Sequence, residues 1–278
     1  MPITADLGGK DYTLGRGKIF FDRYPDGVAI NATTQGSGER YFGNTPEFST
    51  TSTSEDLDHF DSDSGIRTKD DSVQLSFDRT GTVVCDNISA DNIALQFLGD
   101  DPTTVVTASA TAVVDSDKVG VKRGTFIQLG ATTALPSGVR NVSNVLVSKV
   151  VSGTPTPVTP AGNIEVDEAL GRVYIEDVAT ATGIADGDTL RFTYDVAATS
   201  REQVISKNKS IYGALRYVAD NPKGTNRDFY FPYVKLTPDG DYAFKGDDWQ
   251  QMTFAVEILK KASNIESVYV DGRAVVTP

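Results

Sequence analysis

The chain has 278 residues, 39% of them hydrophobic, with 25 glycines and a net charge of −12, which suits one large or two ordinary turn-rich domains with a core to bury. Its only cysteine, Cys85, rules out an intrachain disulfide and any multi-cysteine metal site and points to folding in the cytosol. The charge runs from −9 over residues 1–100 through −4 over 101–200 to +1 over 201–278, too acidic to grip nucleic acid, which needs Lys and Arg against its phosphates.

From the N-terminus, Met1-Pro2-Ile3-Thr4 shows no basic stretch followed by an apolar one, so no signal peptide is expected. No apolar run approaches the length of a membrane span. Gly15-Arg16-Gly17-Lys18 lacks the phosphate-loop pattern and runs into a strand, Ile19-Phe20-Phe21, instead of a helix. Residues 39–79 predict two strands joined by a long acidic loop. In the first, Phe48 is followed by six consecutive Ser and Thr residues, which favour strand but cannot fill a core. The second, Ser72–Asp78, alternates Val73, Leu75 and Phe77 with Gln74, Ser76 and Asp78. The two pair as a long hairpin.

A helix is predicted next. Ser89 is its N-cap, Asp91 lies in its first turn and Gly99 sits just past its end. Its apolar face is Ala90, Ile93, Ala94, Phe97 and Leu98. Between about 100 and 200 the composition turns to Val, Thr, Ala, Gly and Pro, with few aromatics. Strands are expected at Val119–Leu129, Val142–Val151, Arg172–Glu176 and Thr189–Val196. Turns are expected at Pro136–Gly138, Thr154–Pro157, Leu170-Gly171 and Asp186–Asp188. That spacing describes a small Ig-like β-sandwich, residues 101–200, inserted into a domain made of 1–100 and 201–278. The alternative is that these strands only extend the main sheet. After 200, Ile211, Leu215 and Tyr217 precede a turn at Asn221–Gly224 and a returning strand at Phe229–Tyr233, where Pro232 marks a bulge or an edge. Met252, Phe254, Val256 and Ile258 alternate with polar or small residues. Asp271-Gly272 reads as a turn between Ser267–Val270 and Arg273–Val276.

No catalytic constellation stands out, and no cofactor is expected. His59, the only histidine, lies among acids, and no nucleophile-elbow motif exists. Asp56, Asp58, Asp61 and Asp63 invite a calcium site, but counting from Asp61 puts Gly65 fifth, Ile66 sixth and Ser72 twelfth, which breaks the EF-hand pattern; no metal site is assigned. A carboxylate pair assembled from distant strands stays open at this level. An acidic wall repels a moving phosphate backbone, although acidity also serves solubility alone.

Several stretches in order carry a family resemblance: Leu14–Phe21, Arg40–Phe48, Glu55–Phe60, Ser64–Asp70 and Asp86–Ser89, with the aromatic strands of 211–258. Over residues 1–100 and 201–278 the chain resembles the major tail tube proteins of long-tailed, siphovirus-type bacteriophages. The resemblance implies a mainly β fold: a β-sandwich or rolled sheet flanked by one α-helix, with the 101–200 insertion on the tube exterior. It implies a structural virion protein and not an enzyme, made in the host cytoplasm and resident in the virion tail. Its partners would be itself, in six-fold rings stacked head to tail, a tape-measure protein, the tail-tip initiator and the tail terminator. Double-stranded DNA would pass through transiently, and no membrane is involved. On this resemblance Glu47, Ser49, Thr51, Thr53, Glu55, Gln74, Ser76 and Asp78 would line the lumen, opposite Phe48, Val73, Leu75 and Phe77. The loop Leu57–Lys69, with Leu57, Asp58, Phe60, Asp61, Asp63, Ile66, Arg67 and Lys69, would reach a neighbouring subunit or ring, where Lys207, Lys209 and Arg216 would meet its acids. A carbohydrate- or cell-surface-binding β-sandwich is the alternative, with the insertion as its adhesive part.

Overall fold

The computed structural model describes residues 12–63, 65–177 and 183–273. The chain divides into two compact units, one formed by Met1–Pro102 with Val204–Pro278, the other by Thr103–Gln203. In chain order the first unit begins with β1 (Gly17–Arg23), β2 (Arg40–Tyr41), β3 (Glu47–Asp61), β4 (Thr68–Cys85) and α1 (Ala90–Gln96). The second holds β5 (Thr103–Thr107), β6 (Ala110–Val114), β7 (Phe126–Gln128), β8 (Val142–Val151), β9 (Thr154–Val158), β10 (Ile164–Asp167), β11 (Arg172–Ile175), β12 (Leu190–Val196) and β13 (Thr199–Gln203). The first unit resumes with β14 (Ile211–Ala219), β15 (Arg227–Pro238), β16 (Met252–Ile258) and β17 (Tyr269–Gly272).

The first unit is built on one antiparallel sheet in the order β2-β1-β14-β15-β16-β4-β3, with β17 also on β15. Period-two alternation gives this sheet one greasy face. Ile19, Phe21, Leu215, Phe231, Met252, Phe254 and Val83 are buried together and are joined by Phe42. Phe42 packs edge-on to Phe21 and Phe254, at ring distances of 6.5 and 5.5 Å. Phe48 closes the far side of the core against Phe231, 5.8 Å away. Pro232 lies where the β14–β15 register shifts, as a residue without an N–H requires in a central strand.

Helix α1 begins at Ser89, whose side chain accepts from the Asn92 amide, and carries Asp91 in its first turn. Two details differ from the expected helix. The left-handed residue that ends it is Leu98, at φ 50°, and Gly99 comes one position later, where a Cβ would lie 2.4 Å from the Ile205 carbonyl. The buried stripe is Asn92, Ala94 and Leu95, while Phe97 is exposed. Asn92 turns inward because it is a connector. Its Nδ2 donates to the carbonyls of Phe42 (2.8 Å) and Asn87 (2.9 Å), and its Oδ1 accepts from Arg40 (2.8 Å). Cys85 is buried beside it, and burial pushes its thiol pKa up.

The second unit holds a three-stranded sheet, β10-β11-β7, and a four-stranded sheet, β6-β12-β8-β9, all antiparallel, with a two-stranded pair β13-β5. Leu129, Val142, Val147, Val173, Ile175, Leu190, Phe192 and Tyr194 form one core between the two larger sheets. The expected strand over Val119–Leu129 shrinks to Phe126–Gln128. Thr154–Pro157, expected as a turn, is strand β9. The turn lies just before it, at Ser152 (φ 47°) and Gly153 (φ 82°), the two positive φ values of a tight hairpin. Pro155 and Pro157 are tolerated because β9 is an edge strand that needs no outward N–H. Asp271-Gly272, expected as a turn, pairs with Asp228 and Arg227 as the end of β17. The expected closing strand Arg273–Val276 lies beyond Arg273 outside the described residues, as does the Met1–Thr4 segment.

Candidate assembly surface

Strands β3 and β4 pair over their whole length, and their outer part passes beyond every other strand. β16 covers β4 only from Arg79 to Cys85. Past that point Thr53–Asp61 and Thr68–Asp78 form a two-stranded ribbon, with no third strand among the described residues, roughly 30 Å long at the rise of an extended chain. The edge of β3 opposite β4 has no strand partner among the described residues from Glu47 to Asp61.

Directly opposed residues share a face, so the register sorts the side chains. Glu47, Ser49, Thr51, Thr53 and Glu55 lie opposite Val84, Thr82, Thr80, Asp78 and Ser76. Across β16 the same face continues through Thr253, Ala255 and Glu257. It is polar: Ser76 donates to Glu55 at 3.4 Å, and Lys235 pairs with Glu257 at 3.0 Å. Phe48 and Val83 lie on the other, core-facing side. Gln74 was expected with Ser76 and Asp78 but lies with the opposite set. The register shifts between Glu55 and Asp56, which leaves Leu75 as an extra residue, and a bulge of one residue inverts the alternation beyond it. Gln74 therefore stands opposite Asp56, and Val73 joins Leu57 on the face of Glu55 and Ser76.

The expected loop Leu57–Lys69 is shorter than its residue types imply. Leu57, Asp58, Phe60 and Asp61 belong to β3 and Lys69 to β4, so that Asp63, Ile66 and Arg67 fall between the two strands. Cross-strand pairs hold the acidic chains extended. Lys69 contacts Asp58 at 2.6 Å, Ser72 donates to Asp58 at 2.8 Å, and His59 contacts Asp70 at 2.6 Å. The Lys69 hydrogen bond, with that of Ser72, holds the Asp58 carboxyl below the usual range. Arg67 caps the Phe60 ring at 5.3 Å and Arg79 the Phe77 ring at 4.5 Å. Even so, Leu57, Val73, Leu75 and Phe77 remain exposed.

The three bases expected to receive these acids are occupied within the chain. Lys209 pairs with Asp26 (2.7 Å) and with Asp100, Lys207 lies 3.9 Å from Asp100, and Arg216 pairs with Glu39 at 2.7 Å. Hydrogen bonds to Asp100 and Asp26 raise the Lys209 pKa. The cations were legible in sequence, but their partners sit more than a hundred residues away and were not. Sequence reasoning also missed a cavity of about 500 Å³ lined by Tyr24, Tyr212, Tyr233, Lys260 and Lys261 together with the 25–30 loop. Its only sequence signal is the Lys-Lys pair just after β16. Tyr24 donates to the Pro232 carbonyl at 2.6 Å, and burial raises its pKa. A second groove, of about 730 Å³, runs between the start of β1 and the start of β3 over Phe48, Tyr217, Phe229 and Phe231.

Among the described residues no group of three or more His, Cys, Asp or Glu side chains is placed to hold a metal ion, and no helix is long and apolar enough to cross a membrane. Compared with known families, residues 12–269 match the one described as "Protein of unknown function UCP028589". No curated protein matches the chain.

Proposed function

Since the chain belongs to this family, whose function is unknown, we propose from its surfaces and its resemblance that it is a structural subunit of a viral tail tube. The carrying observation is the ribbon. A two-stranded ribbon of this length, wet on both faces and open along β3, is marginal by itself. Its unpaired edge is a template for another chain. Pairing around closed, stacked rings removes that edge and covers Leu57, Val73, Leu75 and Phe77. Six copies per ring, stacked head to tail, make a tube whose wall is the Ser/Thr face from Glu47 to Glu55 with Asp78; beyond the bulge the ribbon leaves the wall, so that Leu57 and Val73 meet a neighbouring ring and not the channel. Short polar and acidic side chains repel phosphate and let DNA pass without sticking. The unit Thr103–Gln203 serves as an Ig-like decoration of the exterior, and the remaining partners are a tape-measure protein, a tail-tip initiator and a terminator.

Negative-stain electron microscopy of the concentrated protein tests this. Hollow tubes or six-fold rings are expected. Particles of single-subunit size at every concentration, with and without a tail-tip fraction as seed, overturn it. One feature favours an adhesive role for the second unit: the rings of Phe126 and Tyr174 lie 4.9 Å apart, tilted by 46°, with Arg172 4.3 Å over Phe126, and Phe126 is exposed. A glycan-binding shift abolished by Phe126→Ala would support that role.

A further inference from the structure

The ribbon carries a charge that the rest of its own chain does not answer. Residues 55–71 hold seven acids and two bases, a net of −5. Only Asp58 and Asp70 among those acids have an ion-pair partner among the described residues. Lys207, Lys209, Arg216, Lys235 and Lys260 each have one. Others, among them Lys18, Arg40, Lys223 and Arg227, have no ion pair among the described residues, but Lys261 is set apart by lining the Tyr24 cavity. Its ammonium donates only to neutral oxygens, the Tyr24 hydroxyl at 2.8 Å and the Thr34 carbonyl, and lies 4.7 Å from the Tyr24 ring centre. No carboxylate reaches it within ion-pair distance among the described residues. It is half-buried, and burial lowers its pKa against the distant pull of Asp22.

A half-buried cation held by neutral groups costs free energy until an anion arrives. It also sits in a concavity, beside Lys260 and the rings of Tyr212 and Tyr233, which face each other 5.5 Å apart. An ammonium with three donors and two acceptors in place has one donor left for a ligand. Tyrosines flanking it exclude water around the pair.

We propose that this cavity, with Lys261 at its base and Lys260 at its rim, receives the acidic ribbon of a second copy of this chain. The inference rests on the assembly role of the ribbon argued above, and moves the receptor from Lys207 and Arg216 to this cavity, whose wall also holds the paired Lys209 and Asp26. Asp61 and Asp63, the acids without an ion pair among the described residues that lie nearest the ribbon tip, are the ones that enter; Asp61 accepts from the Asp63 amide. The ribbon's backbone edge supplies the pairing and this contact supplies its register, because a buried charge tolerates no slip by one residue.

Zero-length carbodiimide crosslinking of an equimolar mixture of unlabelled and ¹⁵N-labelled protein, assembled and then digested for mass spectrometry, tests it. Mixed-isotope crosslinks from Lys261 or Lys260 to an acid within residues 55–71 are expected. Same-isotope Lys235–Glu257 crosslinks serve as the control, since that pair lies within one chain. Lys261→Met keeps the aliphatic stem and is expected to raise the critical concentration for assembly roughly tenfold or more. Lys261→Glu is expected to block assembly, and Asp61→Lys with Asp63→Lys to restore it. Mixed-isotope crosslinks only from other lysines, such as Lys18 or Lys223, or an unchanged critical concentration in Lys261→Met, overturn this docking while leaving the assembly role standing. Absence of any assembly or mixed-isotope crosslink, with the control crosslink present, overturns both.

Discussion

Replacing Leu57, Val73 and Phe77 by threonine tests the ribbon without touching the core. Threonine keeps the strand preference and removes most of the apolar area. In the subunit these side chains are 61%, 57% and 47% exposed, so about half of each is still available to be covered. Full burial of such a side chain is worth about 1.5–3 kcal/mol, so half-burial of three contributes roughly 2–4 kcal/mol to each subunit added. At 1.4 kcal/mol per decade, the critical concentration for assembly rises roughly 30- to 1,000-fold. The folded subunit hardly notices, because exposed substitutions shift stability by about 0.5 kcal/mol or less, apart from the Arg79 contact with Phe77. Sedimentation or light scattering against concentration reads the first effect, and thermal unfolding of the dilute subunit the second. A variant that assembles at the wild-type concentration would refute the reasoning. So would one that loses several kilocalories of subunit stability, since the ribbon would then belong to the core of its own chain.

Two further expectations concern the subunit itself. Asn92→Ala strands the carbonyls of Phe42 and Asn87 and the half-buried guanidinium of Arg40, and is expected to cost roughly 3 kcal/mol in denaturant unfolding; a loss below about 1 kcal/mol would show that water replaces the side chain. In the second unit, the Arg191 hydrogen bond holds the Asp117 carboxyl low, and Asn144 with the Ala112 amide does the same for Asp195. Both folded pKa values lie below the ordinary carboxylate range near about 4. Their stabilisation is therefore full above that range and is lost as pH falls through the lowered values. Calorimetry from neutral to acid pH should show Asp117→Asn with Asp195→Asn losing less stability on acidification than the parent chain; parallel curves would dismiss the linkage.

Much of the local structure was legible because it is written in neighbouring residues. Met252, Phe254, Val256 and Ile258 alternate as a half-buried strand must, and all four are buried. Ser89 caps α1 through a bond to its third neighbour, well within reading distance. The change of composition near residue 100 and its reversal near 200 coincide with the unit Thr103–Gln203. Where local signals conflicted, they misled. Pro155 and Pro157 looked like a turn because their missing N–H groups count against a central strand, and nothing local says that β9 is an edge. Asp58, Asp61 and Lys69 looked like loop because a run of acids repels itself; cross-strand pairing with Lys69 and Ser72 outweighs that repulsion.

The face a side chain takes and the partner a charge finds lay further out of reach. Gln74 has the right spacing to join Ser76, and only the pairing of β3 with β4 reveals the bulge at Leu75 that turns it away. Lys209 and Lys261 are both lysines in strand-rich sequence. One meets Asp26 and Asp100, while the other meets neutral oxygens, because β14 begins beside the 26–30 loop and the chain leaving β16 passes Tyr24. Alternation, capping and composition follow from sterics and hydration within a few residues, so the chain carried its strands, its helix and its polar ribbon in one dimension. Register, burial of charge and the open edge of β3 depend on which distant strands become neighbours, and that was decided only when the sheet closed around Phe42 and Phe254.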